Sequence, residues 1–81
     1  MPEEVLFQRV ADVVSRMFGI DAPELAPESG VGSIQGWDSM GHLRLMMEVE
    51  QTFQVRFDTA DLGAPQNIRA LCELLSRYLD S

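Results

Sequence analysis

Leu6, Val10, Val13, Val14 and Met17 recur at helical intervals, a spacing that gathers side chains on one side of a 3.6-residue turn. They predict a first helix over residues 3–18. Pro2 suits its first turn, Glu3 and Glu4 put negative charge where the backbone amides are unsatisfied, and Gly19 ends it. Ile20 is then placed to pack back under the domain. From Asp21 to Trp37 the periodicity disappears, and Pro, Gly, Ser and acidic residues surround isolated apolar points at Leu25, Val31 and Ile34. An ordered loop pinned by those three side chains is expected; its length beyond an ordinary connector argues for irregular mobility or for a function.

Helical periodicity resumes at Asp38 or Ser39 and runs to about Gln54. Met40, Leu43, Met47 and Glu50 fall on one stripe, and Leu45, Met46, Val49 and Phe53 on another. Apolar residues cover more of this helix than one core-facing side requires, which leaves open a partner-facing stripe or a central helix packed on two sides. Met40, Met46 and Met47 suit flexible core filling or an adaptable binding face equally well. Residues 57–63 predict one helical turn, capped by Asp58 or Thr59 and interrupted by Gly63 and Pro65. Asn67 then caps a last helix in which Ile68, Leu71, Leu74, Leu75 and Leu79 repeat, with Tyr78 near its end. The pattern predicts an all-α fold, a bundle of three main helices and one short one, in a single domain spanning residues 1–81. A monomer is expected.

The chain has 81 residues, 46% of them hydrophobic, enough for a folded core but too few for separate catalytic and substrate domains. A binding or carrier role is therefore favoured over an enzyme. Six Arg and no Lys stand against 13 Asp and Glu, for a net charge of -7. That balance opposes binding to nucleic acid or anionic lipid and favours basic protein partners. The lone Cys72 excludes an internal disulfide, and with the single His42 it leaves a zinc site short of ligands. The amino terminus lacks the pattern of a signal peptide, and no segment reaches the roughly 18 apolar residues of a membrane span. A soluble, cytoplasmic protein is expected.

The informative string is Gly36-Trp37-Asp38-Ser39-Met40, immediately before the central helix. A serine at a helix start is ordinarily a cap, its oxygen accepting from a free backbone amide. Its alternative is covalent: an exposed hydroxyl here accepts a phosphate ester whose oxygens lie where the amides and helix dipole favour them. Asp38 would then be the cap.

With these residues the chain resembles the acyl and peptidyl carrier proteins, whose Asp-Ser-Leu signature is matched by Asp38-Ser39-Met40. The resemblance extends over nearly the whole chain and implies the acyl-carrier four-helix bundle. It implies that Ser39 receives 4'-phosphopantetheine from coenzyme A, through a phosphopantetheinyl transferase that uses magnesium. The thiol of that group would hold acyl or aminoacyl intermediates as thioesters, loaded by one enzyme and consumed by a downstream synthase or transferase. The tether raises effective concentration, and this chain performs no acyl chemistry itself. Asp38 would shape the approach to Ser39 electrostatically. Met40, Leu43 and Met47 match the family's partner-facing positions, with Arg44 beside them and Glu48 and Glu50 as surrounding acidic contacts.

Met40 stands where the family usually has Leu, and Gly41 and Arg44 stand where many carriers of fatty acid synthesis present acids. Those departures point to a stand-alone carrier of a specialised biosynthetic pathway. Trp-Asp-Ser-Met-Gly is also similar to the motif of D-alanyl carrier proteins, which keeps an aminoacyl cargo open. From another class, a helical scaffold in which Ser39 is only a cap remains an alternative. Gly41 carries a helix cost of about 1 kcal/mol relative to Ala. His42 lies near Ser39, but without an oriented acid or an oxyanion site a serine hydrolase is not indicated, and His42 reads as a surface or partner-contact residue. Cys72 reads as a small core residue. Trp37 either anchors the loop or helps define the modification site, and Gly30, Gly32 and Gly36 form no nucleotide-binding fingerprint.

Overall fold

In a computed structural model that describes residues 1–80, the chain forms four helices in the predicted order. They are α1 (Glu3–Phe18), α2 (Ser39–Phe53), α3 (Thr59–Leu62) and α4 (Ile68–Leu79). Among the described residues there is no β-strand, only an isolated bridge between Gly30 and Asn67. The loop also contains a 3-10 turn at Ala22–Glu24, which the sequence pattern did not announce.

Each long helix ends for a local reason. Gly19 closes α1 in the left-handed conformation, its N–H donating to the Ser15 carbonyl. Asp38 and Asn67 cap α2 and α4 by accepting from Gly41 N–H and Ala70 N–H. Such a cap contributes about 1 kcal/mol. Gln54 ends α2 at φ 56. Asp58 occupies the cap position of α3 but makes no side-chain cap bond, so this single turn depends on its surroundings. Tyr78 supplies part of them: its hydroxyl accepts from Asp58 N–H at 2.9 Å and donates to Asp61 at 2.6 Å.

The core gathers Leu6, Val10, Val13 and Val14 of α1, Leu45, Met46, Val49 and Phe53 of α2, and Ile68, Leu71, Leu74 and Leu75 of α4. Each fully buried aliphatic side chain contributes on the order of 1.5–3 kcal/mol. Met17, Ile20, Cys72, Tyr78 and Leu79 pack against that cluster while half-buried. Arg9 lies over the Phe53 ring at 4.5 Å, adding a cation–π contact between α1 and α2.

The long loop is held at both ends and in its middle. Leu25, Ile34 and Trp37 are buried, and Val31 N–H, Ile68 N–H and Arg69 N–H bond to Gln66, Ser29 and Pro27 carbonyls across the entry to α4. Val31 departs from expectation, because it is exposed rather than used as a pin. Backbone bonds to the start of α4 hold the middle of the loop, and buried Ile34 and Trp37 hold its last residues before α2.

Candidate functional site

The start of α2 is built from an unusually close chain approach. A Cβ on Gly41 would lie 1.9 Å from the Gly36 carbonyl oxygen and 3.2 Å from Phe18. Glycine is therefore required inside this helix, where propensity alone would favour alanine. The close approach lets the loop turn sharply over the first turn of α2. Phe18 then stacks on Trp37 at 5.9 Å, and Trp37 on His42 at 6.2 Å. Trp37 is 2% exposed, so it anchors the loop.

With the backbone fixed, the alternatives for the cap separate. Asp38 Oδ1 accepts from Gly41 N–H at 3.0 Å. Ser39 is exposed at the first helical position, and its side-chain hydroxyl makes no hydrogen bond with other described residues. Its hydroxyl stands at the positive end of the helix dipole without being used as a cap. A phosphate ester on this oxygen would meet the unsatisfied amides of the first turn.

Ser39 borders a trough of about 540 Å³ lined by Val31, Asp38, His42, Leu43, Leu62, Gly63, Pro65 and Gln66. Its walls come from the loop, the first turns of α2, and the end of α3. The mostly apolar lining suits a flexible chain leaving Ser39, and Gln66 and His42 add polar edges. Beside the trough, Met40, Leu43 and Met47 are 68%, 55% and 61% exposed, and Arg44 lies exposed among them. Glu48 is half-buried nearby.

Two residues have internal partners that their spacing in the sequence does not show. Glu50, expected among the acidic contacts around the apolar stripe, also has an internal role: its carboxylate accepts from Phe57 N–H at 2.8 Å and ties the end of α2 to the chain entering α3. The sequence reads His42 as a surface or partner-contact residue. It is half-buried, its Nδ1 accepts from Trp37 Nε1 at 3.0 Å, and its Nε2 lies 2.7 Å from the Leu62 carbonyl. With both ring nitrogens engaged, neither is offered to Ser39 as a base. Neither role was visible from spacing, because Phe57 and Leu62 are brought up by the turn after α2. Among the described residues no group of three or more His, Cys, Asp and Glu is arranged to hold a metal ion. None of the described helices is long and apolar enough to cross a membrane.

The family model for the phosphopantetheine attachment site matches residues 8–75. The chain is similar to an acyl carrier protein of Thermotoga maritima, 32% identical over 94% of each chain. It is also similar to acyl carrier proteins of Lactobacillus johnsonii, 26% identical over 96% of this chain and 98% of that one, and of Guillardia theta, 21% identical over 95% of each.

Proposed function

Because the chain belongs to the phosphopantetheine attachment-site family, we propose that it is a stand-alone acyl carrier protein and that Ser39 is its attachment residue. The observation that carries this reading is the division of labour at the start of α2. Asp38 performs the capping, which leaves the Ser39 hydroxyl exposed and uncommitted beside the trough. In a helix that needed Ser39 as its cap, esterifying that oxygen would cost part of the cap; here it does not.

When bound, the 4'-phosphopantetheine group supplies a thiol that holds acyl intermediates as thioesters. The residues of this chain do the rest by position. The amides at the start of α2 that Asp38 does not take would be available to the ester oxygens, and Asp38 keeps the helix start formed while its charge shapes the approach of the transferase. The apolar trough walls of Val31, Leu43, Leu62 and Pro65 give the arm a surface to lie against. Met40, Leu43 and Met47, with Arg44 and Glu48 around them, form the surface for partner enzymes. Those partners are a magnesium-dependent phosphopantetheinyl transferase, an acyl- or aminoacyl-loading enzyme and a downstream synthase or transferase, all in the cytoplasm. Arg44 in place of an acid supports a specialised pathway over primary fatty acid synthesis, since a basic partner surface complementary to an acidic helix would meet a like charge here.

The test is incubation with coenzyme A, magnesium and a broad-specificity phosphopantetheinyl transferase, read by intact-mass and peptide mass spectrometry. One phosphopantetheine increment on Ser39, absent in Ser39→Ala, is expected. A folded chain that accepts none from two different transferases returns the helical scaffold as the better reading.

A further inference from the structure

The His42 ring is held from two sides in a way that selects its tautomer. An indole N–H only donates, so the Nδ1 that faces Trp37 Nε1 at 3.0 Å must be the bare acceptor. The ring proton of the neutral imidazole is then on Nε2, where the Leu62 carbonyl accepts it at 2.7 Å. A single tautomer satisfies both contacts. Behind it, the stack through Trp37 to Phe18 connects the ring to the end of α1.

Leu62 is the last residue of α3 and lines the trough beside Ser39. One turn of helix without a side-chain cap does not hold its own place. Tyr78 grips its beginning through Asp58 and Asp61, and His42 grips its end. We propose that His42 is a positioning residue for the reaction at Ser39: as a tautomer-locked strut from Trp37 to Leu62, it holds the α3 wall of the trough in place.

The functional half of this inference rests on Ser39 as the attachment residue, whereas the strut is a property of the unmodified chain. Because neither His42 nitrogen is free to reach Ser39, loss of the ring should not alter proton transfer at the serine. It should instead lower the fraction of molecules with a formed trough, and apparent affinity falls in proportion to that fraction. The transferase would register a higher KM for the carrier with its kcat retained.

The first measurement is of the histidine ring nitrogens by long-range proton–nitrogen NMR on the unmodified wild-type chain, which needs no variant. A fixed Nε2–H tautomer is expected; the Nδ1–H tautomer, or rapid averaging of the two, overturns the strut. Next, His42→Phe keeps a ring against Trp37 and removes both hydrogen bonds, while Trp37→Phe keeps the stack and removes the indole donor. With folding checked by circular dichroism, His42→Phe should speed amide exchange at Ala64, whose N–H closes on Asp61, by about tenfold, the equivalent of one net hydrogen bond. Trp37→Phe should have a smaller effect, and none when added to His42→Phe.

In the transferase assay His42→Phe should raise KM by about threefold or more with kcat held within about twofold. Unchanged exchange and KM would overturn the proposal, as would a fall in kcat at constant KM, which would give the ring a chemical role. If the wild-type chain accepts no phosphopantetheine, the attachment reading fails, and the tautomer and exchange measurements still decide the strut.

Discussion

The trough beside Ser39 and the groove between α1 and α4 differ in size, charge and access to chemistry. The groove is larger, about 980 Å³ against about 540 Å³, and its floor includes Leu6, Phe7, Ala11, Leu25 and Cys72. Exposed Glu3, Glu4, Asp12 and Glu73 surround it, and its Arg69 is paired with Glu28 at 3.0 Å. Its thiol is silenced: burial first, then the carboxylates of Glu73 and Glu3, push the Cys72 thiol up to about 11. The trough offers less room but an uncommitted hydroxyl at a helix start, next to walls drawn from three segments. The smaller trough is thus the one with an accessible hydroxyl at a helix dipole, and the larger concavity lacks that pairing.

The sharpest test of that contrast substitutes one residue on each side. Ser39→Ala should abolish phosphopantetheine transfer altogether. Asp12→Asn in the groove should leave the transfer rate within about twofold, the scale of a neutral surface change. A tenfold loss from Asp12→Asn, measured by intact mass over time, would join the two surfaces into one functional unit.

The next effect is on the scaffold of the trough. Gly41→Ala would gain about 1 kcal/mol by helix propensity alone. The Gly36 carbonyl, 1.9 Å from the new methyl, reverses the sign, and a net loss of about 2 kcal/mol or more is expected from overpacking against backbone. The urea midpoint should fall; an unchanged or higher midpoint would show that the start of α2 tolerates a wider loop.

Gly41 also shows what a sequence hides. Read along the chain, it is a weak point in a helix; its necessity comes from Gly36, folded back onto the same turn. The long helices and their buried stripes were legible because periodicity and caps are local, and Asn67, Gly19 and the two stripes of α2 follow from neighbours within a few positions. Ser39 was legible as a helix-start hydroxyl, but whether it or Asp38 served as the cap required coordinates. The roles of His42 and Glu50 depend on Leu62 and Phe57, contacts set by how the chain returns after α2. Val31 reads as a pin because it is apolar, yet its backbone N–H is held by the Gln66 carbonyl and its side chain stays exposed on the trough.

A smaller effect should separate the two nucleophilic side chains by pH. In the unfolded chain Cys72 ionises from its ordinary value of 9.0, and in the folded chain from about 11. Between those values the unfolded state loses a proton that the native state keeps, so the stability from the half-buried thiol is complete below pH 9 and declines as pH rises toward 11. Cys72→Ala should flatten that decline in urea titrations. At pH 8 the native thiol should react with iodoacetamide about tenfold more slowly than an exposed one, a scarcer thiolate being partly offset by greater nucleophilicity. Equal rates would mean that the groove opens readily and would remove the contrast in access.

The smallest expected change bears on Asp38, which combines a cap with a charge. Asp38→Ala and Asn67→Ala each remove one side-chain acceptor from a helix start, so each should cost about 1 kcal/mol. Asparagine caps as well as aspartate, so Asp38→Asn should hold stability near wild type while deleting the negative charge beside Ser39. The stability of Asp38→Asn thus isolates the cap, and its transfer kinetics isolate the charge. A lower transfer efficiency in this variant, largest at low salt and fading as ionic strength rises, is the signature of electrostatic approach by the transferase. Wild-type efficiency at every salt concentration would leave Asp38 with capping alone, and the trough would then owe its selectivity to shape.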